Sequence, residues 1–382
     1  MNDFHSKNFL SLLRNAISAI TFLICFQISF AQNPEQPAVP HDSVKTDDVN
    51  YLASPVLSYS PETRLGIGVA GLIHFRLQHH QPEIQNKVSN VTGRFVYTLN
   101  KQIISSVTSD LYLHNNADYF NFDFTFYRYP NTFWGIGNNT FDEDAEEYNS
   151  RYFILKGNYQ RRIFKTIYAG AQWKVKQFKL LEAEENGLLD SGNYLGSEGG
   201  FSNGIGLILK FDNRDNDYST TKGGAFVYSW LNYSDFLGSD YSFNEHRFDL
   251  KYFFEVATNH VIAAQVIYRI HDGEVPFHQL AGFGGGYMMR GYYDGRFRDH
   301  YSLAAQTEYR FPIWKRLGAA AFISTASVAD EMNHFQISEF KIAGGAGLRY
   351  KIFKAQDVRL RLDLAVTQDG DFVWYAFFSE AF

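Results

Sequence analysis

Between Glu245 and Val256 the chain alternates at every step. Phe248, Leu250, Tyr252, Phe254 and Val256 fall on one side of an extended strand, and Glu245, Arg247, Asp249 and Lys251 on the other. Successive side chains of a strand point to opposite faces, so this spelling demands a sheet with one apolar and one charged face. Phe120–Tyr127 repeats it, with Phe120, Phe122, Phe124 and Phe126 opposing Asn121, Asp123, Thr125 and Tyr127. So does Val358–Val366, where five aliphatic residues oppose Arg359, Arg361 and Asp363. Such a pattern builds either a soluble β-sandwich or a membrane barrel. Aromatic content separates the two. With 36 Phe, 25 Tyr and 17% aromatic residues overall, the chain has the rings that a lipid-facing band and two interfacial girdles require.

Strand signals fill residues 51–382 and number about sixteen, an even count as bacterial barrels have. The first is expected near Val56–Ser60 and the last at Phe372–Phe382. The predicted fold is all-β, a single transmembrane antiparallel barrel of the outer-membrane type. Long connections belong outside and short turns on the periplasmic side. With a periplasmic N-terminus, Pro130–Ser150, Lys179–Asn203 and His271–Tyr301 fall outside, and Arg162–Lys165, Thr258–His260 and Trp314–Arg316 inside.

Residues 1–31 read as a signal peptide. Lys7 and Arg14 give a positive start, Ala16–Ala31 an apolar run, and Ser29-Phe30-Ala31 the small residues for cleavage before Gln32. A membrane-anchor helix is the alternative, but it wants ~20 apolar residues and Gln27 interrupts this run. Residues 32–50, with Pro34, Pro37 and Pro40, read as a periplasmic linker.

Cys25 is the only cysteine and lies in the leader, so the mature chain has no disulfide, thiolate metal site or cysteine nucleophile. A formal charge of −6 is the wrong sign for a nucleic-acid surface. Phe141–Glu147 is acidic but lacks the spacing of a Ca²⁺ loop, and His79-His80 has no further ligands nearby. The glycines at 282 and 284–286 precede no helix, so they cradle no phosphate. There is no Gly-x-Ser-x-Gly elbow. No catalytic, cofactor or metal site is assigned, and an outer-membrane hydrolase whose residues converge in the lumen is the remaining enzymatic alternative.

One stretch stands out among the connections: Gly284-Gly285-Gly286-Tyr287-Met288-Met289-Arg290-Gly291-Tyr292. An arginine between barrel strands cannot enter lipid, where midplane burial costs roughly 2–4 kcal/mol. It must reach water at an extracellular tip, a phosphate, or an acidic partner inside the barrel.

Three segments together resemble the BamA/TamA-type outer-membrane assembly barrels, or bacterial surface antigen domains. They are Asp212-Asn213-Arg214-Asp215 with Lys222-Gly223-Gly224, then Gly284–Tyr292, then Glu308-Tyr309-Arg310-Phe311-Pro312. The resemblance covers the chain from about Tyr51. It implies a loop folded into the lumen, with Arg290, Gly291 and Tyr292 at its tip and Arg290 paired with inward acids. Glu308 matches the first of these acids. Where the family often has an aspartate one strand later, this chain has Ser324, and the inward-pointing Asp363 is the candidate substitute. Asp212, Arg214, Asp215 and Gly223 match the turn motif. The terminal Phe382 resembles a barrel-assembly signal, or else is simply a lipid-facing ring. Only residues 32–50 stand where relatives carry periplasmic repeat domains.

The implied role is to assist insertion or passage of protein or lipid at the outer membrane. The expected opening lies between first and last strands, where Pro55 and Pro61 bracket a short first strand. Implied partners are outer-membrane lipids, the barrel assembly machinery, and a protein or lipid cargo or periplasmic partner. A passive or structural surface barrel, or pore, is the alternative.

Overall fold

The computed structural model describes residues 49–60, 64–75, 77, 87–216, 219–351, 359–378 and 380–382. The expected leader (1–31) and all but the last two residues of the expected linker (32–50) lie outside the described residues, as do Pro61 and His79-His80.

The first half of the wall consists of β1 (Asn50–Ser60), β2 (Arg64–Phe75), β3 (Ser89–Thr98), β4 (Ile103–Leu113), β5 (Asp118–Phe133), β6 (Glu146–Phe164), β7 (Ile167–Glu182) and β8 (Gly200–Asp212). It continues through β9 (Gly223–Tyr233), β10 (Phe243–Ala257) and β11 (His260–Gly273). Then comes an insertion, β12 (Ala281–Phe283) and β13 (Phe297–Asp299), which form a two-stranded sheet of their own apart from the barrel wall. The wall resumes with β14 (Tyr301–Trp314), β15 (Leu317–Ala329), β16 (Lys341–Lys351), β17 (Arg359–Thr367) and β18 (Phe372–Phe378). Leaving out β12 and β13, sixteen strands among the described residues close into one antiparallel barrel, with β11 beside β14 and β18 beside β1. Closure matters because an unpaired backbone edge cannot be satisfied in hydrocarbon.

Alternation sets the two faces. On β10, Leu250, Tyr252, Phe254 and Val256 are exposed to the outside, whereas Asp249 and Phe253 are buried within. On β17, Leu364 faces out while Arg361 and Asp363 are buried. Exposed rings and aliphatics on the outer wall are what a lipid environment covers, so their exposure is the expected state of this surface.

The long connections gather at one end of the barrel. There Phe133, Tyr148, Phe178 and Leu189 pack around Phe277 from the segment that follows β11. The other end carries the short turns after β4, β6, β10 and β14, and is the periplasmic end by the loop-length rule.

Both terminal strands differ from expectation. β1 starts at Asn50 rather than Val56, so Pro55 sits in its middle, opposite Val69 of β2. Proline lacks an N–H and is confined to edge strands or bulges, which fits the weakly paired strand described below. β18 ends at Phe378 rather than Phe382. Tyr375 and Phe377 point inward, so the alternate residues Trp374 and Ala376 face lipid. A longer strand would place Glu380 on that lipid face. The chain instead leaves the wall, and Glu380 is buried against Arg349 inside.

Candidate functional site

The insertion after β11 dips into the lumen and carries Arg290 to the inner wall. Its base is the β12–β13 hairpin, and Gly285 N–H donates to the Tyr292 carbonyl (2.9 Å), closing the tip. Phe283, Met288, Met289, Tyr292 and Phe297 pack against Ile267, Ala304, Ala326, Val328 and Ala343 of the barrel interior. Fully buried Met289 is held at φ +57, a conformation that costs a non-glycine residue about 1–3 kcal/mol and persists only where surroundings over-determine it. Gly291 has φ +117, and a Cβ there would meet Thr367 Cγ2 at 3.1 Å and Ala343 Cβ at 3.4 Å. Its N–H donates to Tyr375 Oη (3.0 Å), and Tyr292 Oη donates to the Ile342 carbonyl (3.4 Å).

Arg290 is 1% exposed. Its Nη1 donates to Asp363 Oδ2 (2.6 Å), and Nη2 lies 2.8 Å from Glu308 Oε2. The second contact is an ion pair without hydrogen-bond geometry, since neither atom has a hydrogen-bond partner. Beneath the guanidinium lies the Phe322 ring, 3.5 Å from Cζ, a close cation–π contact.

The two acids are shared further. Glu308 Oε1 accepts from Arg310 Nε (2.8 Å) and Arg349 Nη2 (3.1 Å). Asp363 Oδ1 accepts from Arg349 Nη1 (2.5 Å), and Arg361 Nη1 is 3.3 Å from Asp363 Oδ2. Arg361 also donates to the Gly286 carbonyl (2.8 Å), tying the glycine run of the loop to β17. Glu380 completes the group, accepting from Arg349 Nε (2.7 Å) and Arg359 Nη1 (3.3 Å). Four buried arginines (290, 310, 349, 361) thus surround three buried carboxylates (308, 363, 380). Charges out of water are tolerable only when paired and hydrogen-bonded, which such a network supplies.

Of the residues singled out in sequence, Arg290, Glu308 and Asp363 come together here, with Gly291 and Tyr292 seating the loop. Ser324 does not join them; its hydroxyl donates to the Ala343 carbonyl (3.3 Å), and Phe322 on the same strand lies under Arg290 instead. Sequence reasoning missed Phe322, Arg349 and Glu380 as participants. The signal available for Arg349 was the glycine-rich run at 343–347, which marks close packing against a strand.

The turn motif stands apart from this cluster. Arg214 donates from Nε and Nη2 to the two oxygens of Asp212 (2.9 and 2.8 Å), a bidentate pair. Asp215 accepts from Thr221 Oγ1 (2.5 Å) and from the N–H groups of Thr221 (2.9 Å) and Lys222 (3.2 Å). Burial alone would raise the Asp215 carboxyl, but these hydrogen bonds outweigh it and hold the group below its ordinary range. Gly223 begins β9, and Gly224 N–H donates to Asn213 Oδ1 (2.7 Å). The motif is a self-capped turn at the periplasmic end.

Phe382 lies inside the barrel rather than on the lipid face. Its ring packs with Phe253, Val261 and Ala263 and lies 5.2 Å from Arg310 Cζ. Its carbonyl oxygen accepts from Arg310 Nη2 (3.0 Å).

The Omp85 superfamily domain matches residues 95–382. BamA from Haemophilus ducreyi, solved without POTRA domains 1–3, aligns with a TM-score of 0.58 at 13% identity, over 87% of this chain and 70% of that one. CdiB from Escherichia coli gives 0.59 at 10% identity, over 90% and 63%. CdiB from Acinetobacter baumannii gives 0.53 at 13%, over 88% and 60%. This chain therefore spans less than two thirds of either CdiB, and at these identities the likeness is one of fold. No curated protein sequence matches the chain. With three quarters of its length matched and a closed sixteen-strand barrel around an inserted loop, the chain belongs to the Omp85 superfamily of outer-membrane barrels.

Proposed function

We propose that this barrel assists the insertion or passage of protein or lipid at the outer membrane by parting between β1 and β18, with the Arg290 loop as an internal latch. The observation that carries the reading is the imbalance of pairing around β1. Eleven residue pairs join β1 to β2 and seven join β17 to β18. Among the described residues one pair, Tyr59↔Ala376, registers β1 against β18. A stacked ring pair reinforces it, Tyr59 on Trp374 with centroids 3.4 Å apart. A ladder this short leaves backbone groups able to accept a visiting strand, the chemistry of strand augmentation. Partners on this reading are outer-membrane lipids, the barrel assembly machinery that installs the protein, and a protein or lipid cargo or its periplasmic carrier. Phe382 would serve the first stages of that installation. The loop-filled lumen argues against a passive open pore.

Tyr59→Cys with Ala376→Cys places two thiols across the seam. Oxidised cells are expected to lose the activity of the protein, measured as outer-membrane protein and lipid composition against a null strain, and a reductant should restore it. If the cross-linked protein supports a wild-type outer membrane, the seam does not part and the reading fails.

A further inference from the structure

We propose that the periplasmic mouth of this barrel is a binding site for the phosphate of an anionic lipid headgroup. A cavity of about 200 Å³ opens there between the ends of β11, β14, β15, β16 and β17 and the loop that follows β8. Six cationic side chains line it: Arg310, Lys315, Arg316, Arg349, Lys351 and Arg359. None of the described lining residues is acidic.

The described carboxylates that neutralise part of this charge are not among the residues lining the cavity. Glu308 and Glu380 hold Arg310, Arg349 and Arg359 from the inner side, fixing their guanidinium planes. Lys315 and Arg316, on the turn between β14 and β15, form no ion pair with a described carboxylate. A neutral hydrogen-bonding group completes the site. Ser219 Oγ accepts from Arg359 Nη2 (2.7 Å), leaving its own proton to donate. The Arg316 guanidinium, the Lys315 ammonium and the Ser219 hydroxyl, set beside the positive charge of the engaged arginines, are a donor set that a phosphate takes.

One observation favours a lipid over free phosphate, and a second favours it over a polypeptide. Ile313 and Trp314, immediately before the cationic turn, are 51% and 66% exposed, and the Lys315 ammonium lies 4.5 Å from the Trp314 ring centroid. An exposed tryptophan at a strand end marks headgroup depth, so the cations meet the phosphates of the periplasmic leaflet. The cavity also falls below the roughly 300 Å³ at which sites for drug-sized ligands begin. A headgroup fits it and a folded polypeptide does not.

The test uses the full barrel purified in a zwitterionic detergent. Probes are short-chain phosphatidylglycerol, phosphatidylcholine of the same chain length, sodium phosphate and an Asp/Glu-rich peptide, each titrated calorimetrically. Wild type is expected to bind phosphatidylglycerol at least tenfold tighter than phosphatidylcholine or phosphate, and more weakly as salt rises. Lys315→Glu with Arg316→Glu, on an exposed turn outside the Arg290 cluster, should weaken that binding tenfold or more. A preserved gel shift between unboiled and boiled samples shows the variant is folded. Unchanged binding in the variant overturns the proposal. Equal affinity for sodium phosphate overturns the lipid assignment, and tighter binding of the acidic peptide overturns it in favour of protein.

Discussion

Glu308→Ala is expected to destabilise the lumenal loop more than Arg290→Ala. Glu308 is fully buried and faces three guanidiniums, those of Arg290, Arg310 and Arg349. Removing it leaves all three turned toward a void. Removing Arg290 leaves Glu308 with Arg310 and Arg349, and Asp363 with Arg349 and Arg361. Breaking a buried pair costs about 3–5 kcal/mol; Glu308→Ala belongs at the top of that range and Arg290→Ala below it. Arg290→Lys should rescue poorly, because one ammonium cannot bridge Glu308 and Asp363 as the planar fork does. Exchanging the charges, Arg290→Glu with Glu308→Arg, should also fail, since the new cation would sit beside Arg310 and Arg349. Urea unfolding and protease cleavage within residues 287–298 measure these effects. Equal midpoints and equal cleavage for Glu308→Ala and wild type would show that the cluster does not hold the loop.

Gly347→Val is expected to break the same cluster without touching a charge. Gly347 stands opposite Asp363 across the β16–β17 ladder. A Cβ there would come 2.0 Å from Asp363 Oδ1, 2.6 Å from the Leu362 carbonyl and 2.8 Å from Arg349 Nη1. The ladder prevents the backbone from yielding, so the carboxylate must swing away from Arg290 and Arg349. Overpacking of this kind costs about 1–3 kcal/mol, and the lost ion pairs add to it. Gly344→Val is the control, because the nearest atom its Cβ meets is the Phe322 carbonyl oxygen at 3.3 Å. Loop protection against protease should fall for Gly347→Val and stay near wild type for Gly344→Val. Indistinguishable variants would mean the space at Gly347 is not what positions Asp363.

Much of the wall was legible because alternation is local. The period-two runs in β5, β10 and β17 name their inward and outward faces without any knowledge of neighbours. Arg290, Glu308 and Asp363 were also legible, the first two through a motif and the third through its inward parity. What could not be read was the meeting of side chains across the lumen. Arg349 and Glu380 sit 31 residues apart in sequence, and their contact depends on strand register and on where the last strand stops. Phe322 was hidden for the same reason, as an ordinary ring until Arg290 is placed over it. The end of the chain was misread by extending the alternation. Continuing it keeps Phe382 in the wall but also carries Glu380 into lipid, and the electrostatic cost decides the matter.

The Arg290 loop is anchored at its base between β11 and β14 and touches Ala343 of β16, Asp363 of β17 and Tyr375 of β18 at its tip. It is therefore a strut across one sector of the cylinder, bracing β14 through β18 into a single stiff leaf. Among the described residues, no comparable brace from this loop reaches β1 or β2. On the proposed opening of the seam, the displacement should fall on the β1 side while the braced leaf keeps its shape. Amide hydrogen exchange should accordingly be faster in β1 and β2 than in β17 and β18, and Arg290→Ala should narrow that difference by loosening the leaf. Equal protection on both sides of the seam would mean that the barrel yields symmetrically and the strut stiffens nothing.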